Sequence, residues 1–132
     1  MNSKQKEQLA TEIFEWLVAH EMWVDVCIYF NGKRWSTSNH KDCMDFCYNE
    51  HRYFEDEADP KDYFEYVAEP NILSMSFEGG LYDCINYGNG GVYDKLQNIF
   101  DNYGLYFELG NAWNLTAYPT NDDLEVEYTI YE

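Results

Sequence analysis

The sequence predicts an α+β fold: a mixed or antiparallel sheet built from hairpins, with an N-terminal helix and a second helix near residues 92–103 packed on it. Three observations predict it. Apolar residues recur at helical spacing from Ser3 to His20 and from Val92 to Tyr103. Apolar and polar residues alternate from Trp23 to Phe30 and again through most of Leu105 to Ile130. Asn31-Gly32 separates two such runs, and both residue types accept the left-handed φ that a tight hairpin needs. No internal repeat or long linker interrupts the 132 residues, so a single compact domain over 1–132 is expected.

Leu9, Ile13, Trp16, Leu17 and His20 define the apolar stripe of the first helix, with Glu7, Glu12 and Glu15 elsewhere on its surface. In the first strand Val24, Val26, Ile28 and Phe30 share one face, opposite Trp23, Asp25, Cys27 and Tyr29. Arg34 to Ser38 is the return strand. Asn39 to Arg52 is read as a short helix with Asn39 as its cap and Met44, Cys47, Tyr48 and His51 on one face, although Phe46-Cys47-Tyr48 also fits the start of a strand. Asp59-Pro60 opens a second short helix to Val67, with Asp capping and Pro at the first helical position. Ile72 to Phe77 is a strand, Leu81 to Tyr87 a turn or two of helix, and Gly88-Asn89-Gly90-Gly91 a loop. Val92, Leu96, Ile99, Phe100 and Tyr103 mark the later helix, ended by Gly104.

The C-terminal stretch reads as three strands. Leu105, Phe107 and Leu109 alternate with Tyr106 and Glu108; Trp113, Leu115 and Ala117 with Asn114, Thr116 and Tyr118; Leu124, Val126, Tyr128 and Ile130 with Glu125, Glu127, Thr129 and Tyr131. Gly110-Asn111 is the expected hairpin turn, and Pro119 stops the second strand. If the apolar sides build the core, the other side presents Tyr106, Glu108, Tyr118, Glu125, Glu127 and Tyr131, with no Lys or Arg in the stretch.

Charge narrows the function classes. Hydrophobic content of 45% argues for a folded core despite a net charge of −17. Residues 1–61 carry 12 acidic and seven basic groups, net −5, while residues 62–132 carry 13 acidic groups against Lys95 alone. Direct contact with nucleic acid or an anionic membrane is disfavoured, since phosphate contacts need Lys and Arg. A basic protein is the natural partner. No apolar run is long enough for a membrane span, and the polar N-terminus lacks an apolar signal region. The cytoplasm is therefore the expected compartment, with Cys27, Cys43, Cys47 and Cys84 as thiols.

Candidate chemistry is sparse. On a helix, His40, Cys43, Cys47 and His51 would form one stripe of zinc-ligand types, but Cys43 and His51 would lie about 12 Å apart along the axis. One helix cannot close a tetrahedron with all four, so no metal or other cofactor is assigned. Cys43 or Cys47 with a nearby His matches a nucleophile and base in type only, and acidic surroundings oppose thiolate formation. The glycine loop before the later helix lacks the Lys-Ser/Thr of a phosphate loop. Asn121-Asp122-Asp123 reads as a turn rather than a calcium loop. No catalytic residue is assigned, and the chain is read as a non-enzyme.

The surface remains. Its charge far exceeds the net magnitude of about 2–8 that suits solubility in a small domain, and the acids alternate with tyrosines, a residue type enriched at binding hot spots. The partner-binding residues proposed are Tyr106, Glu108, Tyr118, Glu125, Glu127 and Tyr131, then Glu55, Asp56, Glu57 and Asp59. In size, acidity and aromatic content the whole chain resembles the small acidic anti-CRISPR and anti-restriction proteins of phages and mobile elements. That resemblance implies evasion of host defence by a DNA mimic. Its carboxylates would stand in for phosphates in the basic groove of an RNA-guided nuclease or restriction enzyme in the host cytoplasm. The alternatives are an immunity protein or antitoxin for a basic toxin and, in another class, a thiol- or zinc-dependent enzyme. Glu125→Lys with Glu127→Lys is expected to keep the fold, because both side chains face solvent in this reading, and to weaken partner binding in a titration against the partner.

Overall fold

A computed structural model describes residues 1–65, 67, 70–88 and 91–120, with the backbone alone at Cys43. Helix α1 (Ser3–Ala19) opens on Asn2, whose side chain accepts from the Gln5 amide while the Gln5 side chain accepts from the Asn2 amide. This reciprocal cap satisfies two donors that the helix itself leaves orphaned. The buried stripe is Lys6, Leu9, Ala10, Ile13, Phe14 and Leu17. It is rotated from the expected one: Phe14 is locked edge-on against Trp23 and Tyr53, which leaves Trp16 half-buried and His20 exposed. Lys6 buries its stem and extends its ammonium to the Asn71 carbonyl at 3.3 Å.

Six strands form one antiparallel sheet: β1 (Val26–Phe30), β2 (Lys33–Ser36), β5 (Phe54–Glu57), β6 (Ser74–Phe77), β7 (Leu105–Asn111) and β8 (Asn114–Pro119), in the spatial order β5-β2-β1-β6-β8-β7. Strands β3 (Ser38–Asn39) and β4 (Asp42–Phe46) form a separate hairpin. Helix α2 (Gly80–Tyr87) and helix α3 (Val92–Asp101) complete the helical layer, α3 packing on α1, α2 and β7. The α+β architecture expected from the sequence, with an N-terminal helix and a later helix on a hairpin-built sheet, is the one observed.

Each strand begins where its backbone allows. Asn31 and Gly32 have φ of 51° and 74°, and they close the β1–β2 turn with Phe30 opposite Lys33. Strand β1 starts at Val26 and not at Trp23, because Asp25 takes φ 55° and breaks the extended run. Residues Val26, Ile28, Phe30, Trp35, Met75, Phe77, Phe107, Leu115 and Ala117 face the helices and are buried. At the outer edge, Gln97 of α3 accepts from the Phe107 amide and donates to the Leu105 carbonyl, each at 3.3 Å. Those bonds occupy groups that an edge strand otherwise offers to another chain.

The other sheet face departs from expectation. Tyr29, Arg34, Ser36, Ser74, Asn114 and Thr116 are polar residues of that face, yet all are buried. The segment after Asp59 lies over them: Tyr29 meets Phe64 edge-on at 5.1 Å and Tyr63 at 5.7 Å, and Phe64 meets Trp113 at 6.1 Å. Burial is tolerated at most of them because partners are built in, Asn114 Oδ1 being the exception among the described residues. Ser74 and Thr116 share a hydrogen bond of 2.8 Å, and Asn71 donates to Ser74 at 3.0 Å. The expected helix from Pro60 to Val67 is a single 3-10 turn, Pro60–Asp62, with Asp59 accepting from the Lys61 amide as its cap.

The expected helix over Asn39 to Arg52 is absent; β3, β4 and a turn take its place. Asn39 accepts from the Lys41 amide at 2.9 Å, which makes an Asx turn instead of a helix cap. The Cys47 amide then donates to the Thr37 carbonyl at 2.9 Å and its side chain is fully buried. An Asx turn followed by an alternating run outcompetes a helix that would have carried its thiol on a partly exposed stripe. Strand β5, acidic along its length, was likewise not legible as a strand. The predicted third C-terminal strand, Leu124 to Ile130, lies outside the described residues. Among the described residues no helix is long and apolar enough to cross a membrane.

Candidate interaction surface

The β7–β8 hairpin positions the first group of proposed binding residues. Its turn is Ala112-Trp113, between paired Asn111 and Asn114, and not the expected Gly110-Asn111. Asn111 accepts from the Trp113 amide at 2.9 Å, so an Asx turn again sets the bend. Gly110 instead falls at a register shift between Leu109 and Asn111. A Cβ there would lie 2.3 Å from Asn114 Oδ1, a buried oxygen without a hydrogen-bond partner among the described residues. Glycine is thus needed at 110 for close approach. The irregularity also spoils the apolar side of the strand end: Leu109 and Trp113, expected in the core, are 39% and 36% exposed.

Tyr106 and Tyr118 sit directly opposite each other on this hairpin and stack, with centroids 5.7 Å apart and an interplanar angle of 28°. Glu108 lies one step along the same face, opposite Thr116. Tyr106 and Glu108 are exposed, Tyr118 half-buried, and Glu108, Leu109, Gly110 and Tyr118 line an open groove. Burial first, then the neighbouring Glu108 and Tyr106, pushes the Tyr118 hydroxyl up, so it stays protonated and able to donate. The rest of the predicted face, Glu125, Glu127 and Tyr131, lies outside the described residues.

The second proposed group is divided by its pairing. Asp56 points inward and takes two hydrogen bonds from Arg34, one of them at 2.9 Å. That guanidinium holds the Asp56 carboxyl below its ordinary range, and the carboxylate in turn raises Arg34. Glu55 accepts from the Trp35 indole at 2.8 Å and lies 3.5 Å from the Lys33 ammonium. Asp59 caps the 3-10 turn, and Glu57 is exposed. Three of these four carboxylates therefore have structural partners, so Glu57 is the most available to a ligand.

The thiols and imidazoles are not where a helix would have put them. His40 Nε2 is 3.0 Å from Ser36 Oγ and 4.0 Å from Cys27 Sγ, and Cys27 lies 3.4 Å from the same hydroxyl. Burial, then the charge of Arg34, pushes the His40 imidazole down, which favours its neutral form. The sequence placed the histidines with Cys43 and Cys47 on one stripe and offered Cys27 or Cys84 only to complete a metal site; the strand pairing that carries Cys27 to Ser36 was the missing signal. Cys47 is fully buried, and burial pushes its thiol up. His51 reaches Glu15 at 3.6 Å instead. No group of three or more metal-ligating side chains occurs among the described residues. Thiol alkylation of the native protein, mapped by mass spectrometry, is expected to label half-buried Cys27 and Cys84 well before Cys47; early labelling of Cys47 would contradict the packing of the β3–β4 hairpin.

No family model matches the chain, and neither a curated protein nor a solved structure matches it.

Proposed function

We propose that this chain is an acidic inhibitor that binds a basic nucleic-acid-binding protein, with carboxylates standing in for phosphates. The target class is an RNA-guided nuclease or a restriction enzyme. The supporting observation is how the cations are used. Arg34 is spent on Asp56, Lys33 on Glu7 and Glu55, and Arg52 on Glu50. Residues 62–132 offer Lys95 alone against 13 acidic groups. Among the described residues an ordinary apolar core lies beneath, and the exposed carboxylate of Glu108 sits beside the stacked tyrosines of β7 and β8.

Carboxylates at such a surface pair with groove-lining Lys and Arg, and tyrosine rings pack on their stems or stack on guanidinium planes. Long-range attraction speeds the encounter and makes it salt-dependent. Affinity capture with the immobilised protein, resolved by salt and by duplex DNA, tests this. The expected result is retention of a basic nucleic-acid-binding enzyme that either treatment releases. Retention of a neutral or acidic partner, unmoved by salt and DNA, would count against the proposal. One observation favours a second reading, a thiol-dependent enzyme: the Cys27–Ser36–His40 cluster holds a nucleophile, a relay hydroxyl and a neutral base within reach.

A further inference from the structure

The β3–β4 hairpin has inverted polarity. Cys47 turns inward and is fully buried, and Asp45 is half-buried. Met44, Phe46 and Tyr48, the alternate positions, turn outward and are 80%, 43% and 39% exposed. The Phe46 and Tyr48 rings stand 5.1 Å apart, tilted by 37°. An isolated two-stranded hairpin is marginal in water, and a Met44 side chain left this open to solvent adds little to its stability. Methionine and aromatic residues at three successive outward positions have the composition of an interface centre. Carboxylates border it: exposed Asp42, half-buried Asp45, exposed Glu50, and Asp25, which accepts from the Tyr48 hydroxyl at 2.6 Å. Of the cations at this end, Arg52 is engaged by Glu50 at 3.3 Å, and Lys41 sits in the hairpin turn.

We infer that the outer face of this hairpin is a docking surface for an arginine-bearing segment of the basic partner. A guanidinium plane stacks on Phe46 and Tyr48, its stem lies against flexible Met44, and its N–H groups reach the carboxylates of Asp25 and Asp42. Lysine, a compact and strongly hydrated charge, gains the electrostatic attraction without the stacking. This rests on the acidic-inhibitor reading and adds to it a site away from β7 and β8, together with the side chain recognised.

Methionine methyl NMR tests it even before the partner is identified. Of the four methionines, Met1, Met22 and Met75 are buried and Met44 alone is exposed, so one resonance reports on the hairpin and three serve as controls. The probes are an all-arginine and an all-lysine decapeptide. The arginine peptide is expected to shift the Met44 methyl alone and to bind roughly fivefold tighter than the lysine peptide. Met44→Ser with Phe46→Ser, both exposed, is expected to remove that preference while leaving the melting temperature unchanged. Binding of the arginine peptide with an unmoved Met44 methyl overturns the docking site and leaves the acidic-inhibitor reading standing. Equal binding of the two peptides overturns the arginine assignment. A Met44 shift that follows protein concentration without peptide assigns the face to a second copy of the chain and overturns the proposal. Failure of both peptides to bind contradicts the acidic reading itself.

Discussion

Replacing Trp23 with alanine is expected to destabilise the fold by about 3–5 kcal/mol, the range for removal of a fully buried indole. Such a loss is a large share of the roughly 5–15 kcal/mol that holds a domain together. The side chain has no exposed surface, meets Phe14 edge-on at 5.0 Å, and donates its indole N–H to the Arg52 carbonyl at 3.0 Å. Its backbone also pairs with Asn49: the Trp23 amide donates to Asn49 Oδ1 at 3.1 Å, and the Asn49 amide donates back to the Trp23 carbonyl at 2.8 Å. Trp23 thus ties the segment after β4 to helix α1, and the truncation opens a cavity at that junction. Urea denaturation followed by circular dichroism gives the value. Trp16→Ala, on the half-buried flank of α1, is expected to lose clearly less; an equal loss from both would contradict the assigned packing.

Arg34→Met is the second large effect, about 2–3 kcal/mol, below the usual figure for a buried pair because Asp56 keeps 28% of its side chain exposed. The variant leaves the half-buried Asp56 carboxylate without its partner and removes the guanidinium that lies 5.1 Å from the Tyr63 ring and 5.8 Å from that of Tyr29. Arg34→Met with Asp56→Leu is expected to regain most of the loss, because no unpaired charge remains. The pair also sets an acid response. Asp56 titrates lower in the folded state than its ordinary value of 3.8, so its contribution is complete above that value and is lost as pH falls through the lower, folded one. Thermal melts taken from neutral pH downward are expected to show this acid slope in the parent protein and a shallower one in Asp56→Asn. Equal slopes would show that Asp56 is not held low.

The positions of the three helices, the Asn31-Gly32 hairpin and the core faces of β1, β7 and β8, apart from Leu109 and Trp113 at the strand ends, were legible because a strong local signal coincided with the final packing. The Asn39–Arg52 segment was not. Its spacing fits a helix in isolation, and only the burial of Cys47 beneath Thr37 and the clamp between Asn49 and Trp23 decide for a hairpin. Strand β5 was hidden by its charge, since Phe54-Glu55-Asp56-Glu57 reads as a solvated loop until Arg34 and Lys33 of β2 are placed opposite Asp56 and Glu57. For the candidate surface, alternation put Tyr106, Glu108 and Tyr118 together, as observed. It also assigned Asn114 and Thr116 to solvent, because a strand's own sequence does not announce that Phe64 will cover its polar side. The Cys27–His40 proximity depends wholly on pairing between β1 and β2 and on the following turn, so spacing along the chain carried no sign of it.

The most direct test is a titration with this protein of DNA cleavage by whichever nuclease the affinity capture retains. Inhibition by carboxylates in place of phosphates predicts that cleavage stops near an equimolar ratio and that added duplex DNA or salt restores it. It also predicts that Tyr106→Ala with Glu108→Lys shifts the curve to higher inhibitor while the melting temperature holds. Cleavage that continues unchanged in the presence of excess protein would contradict it.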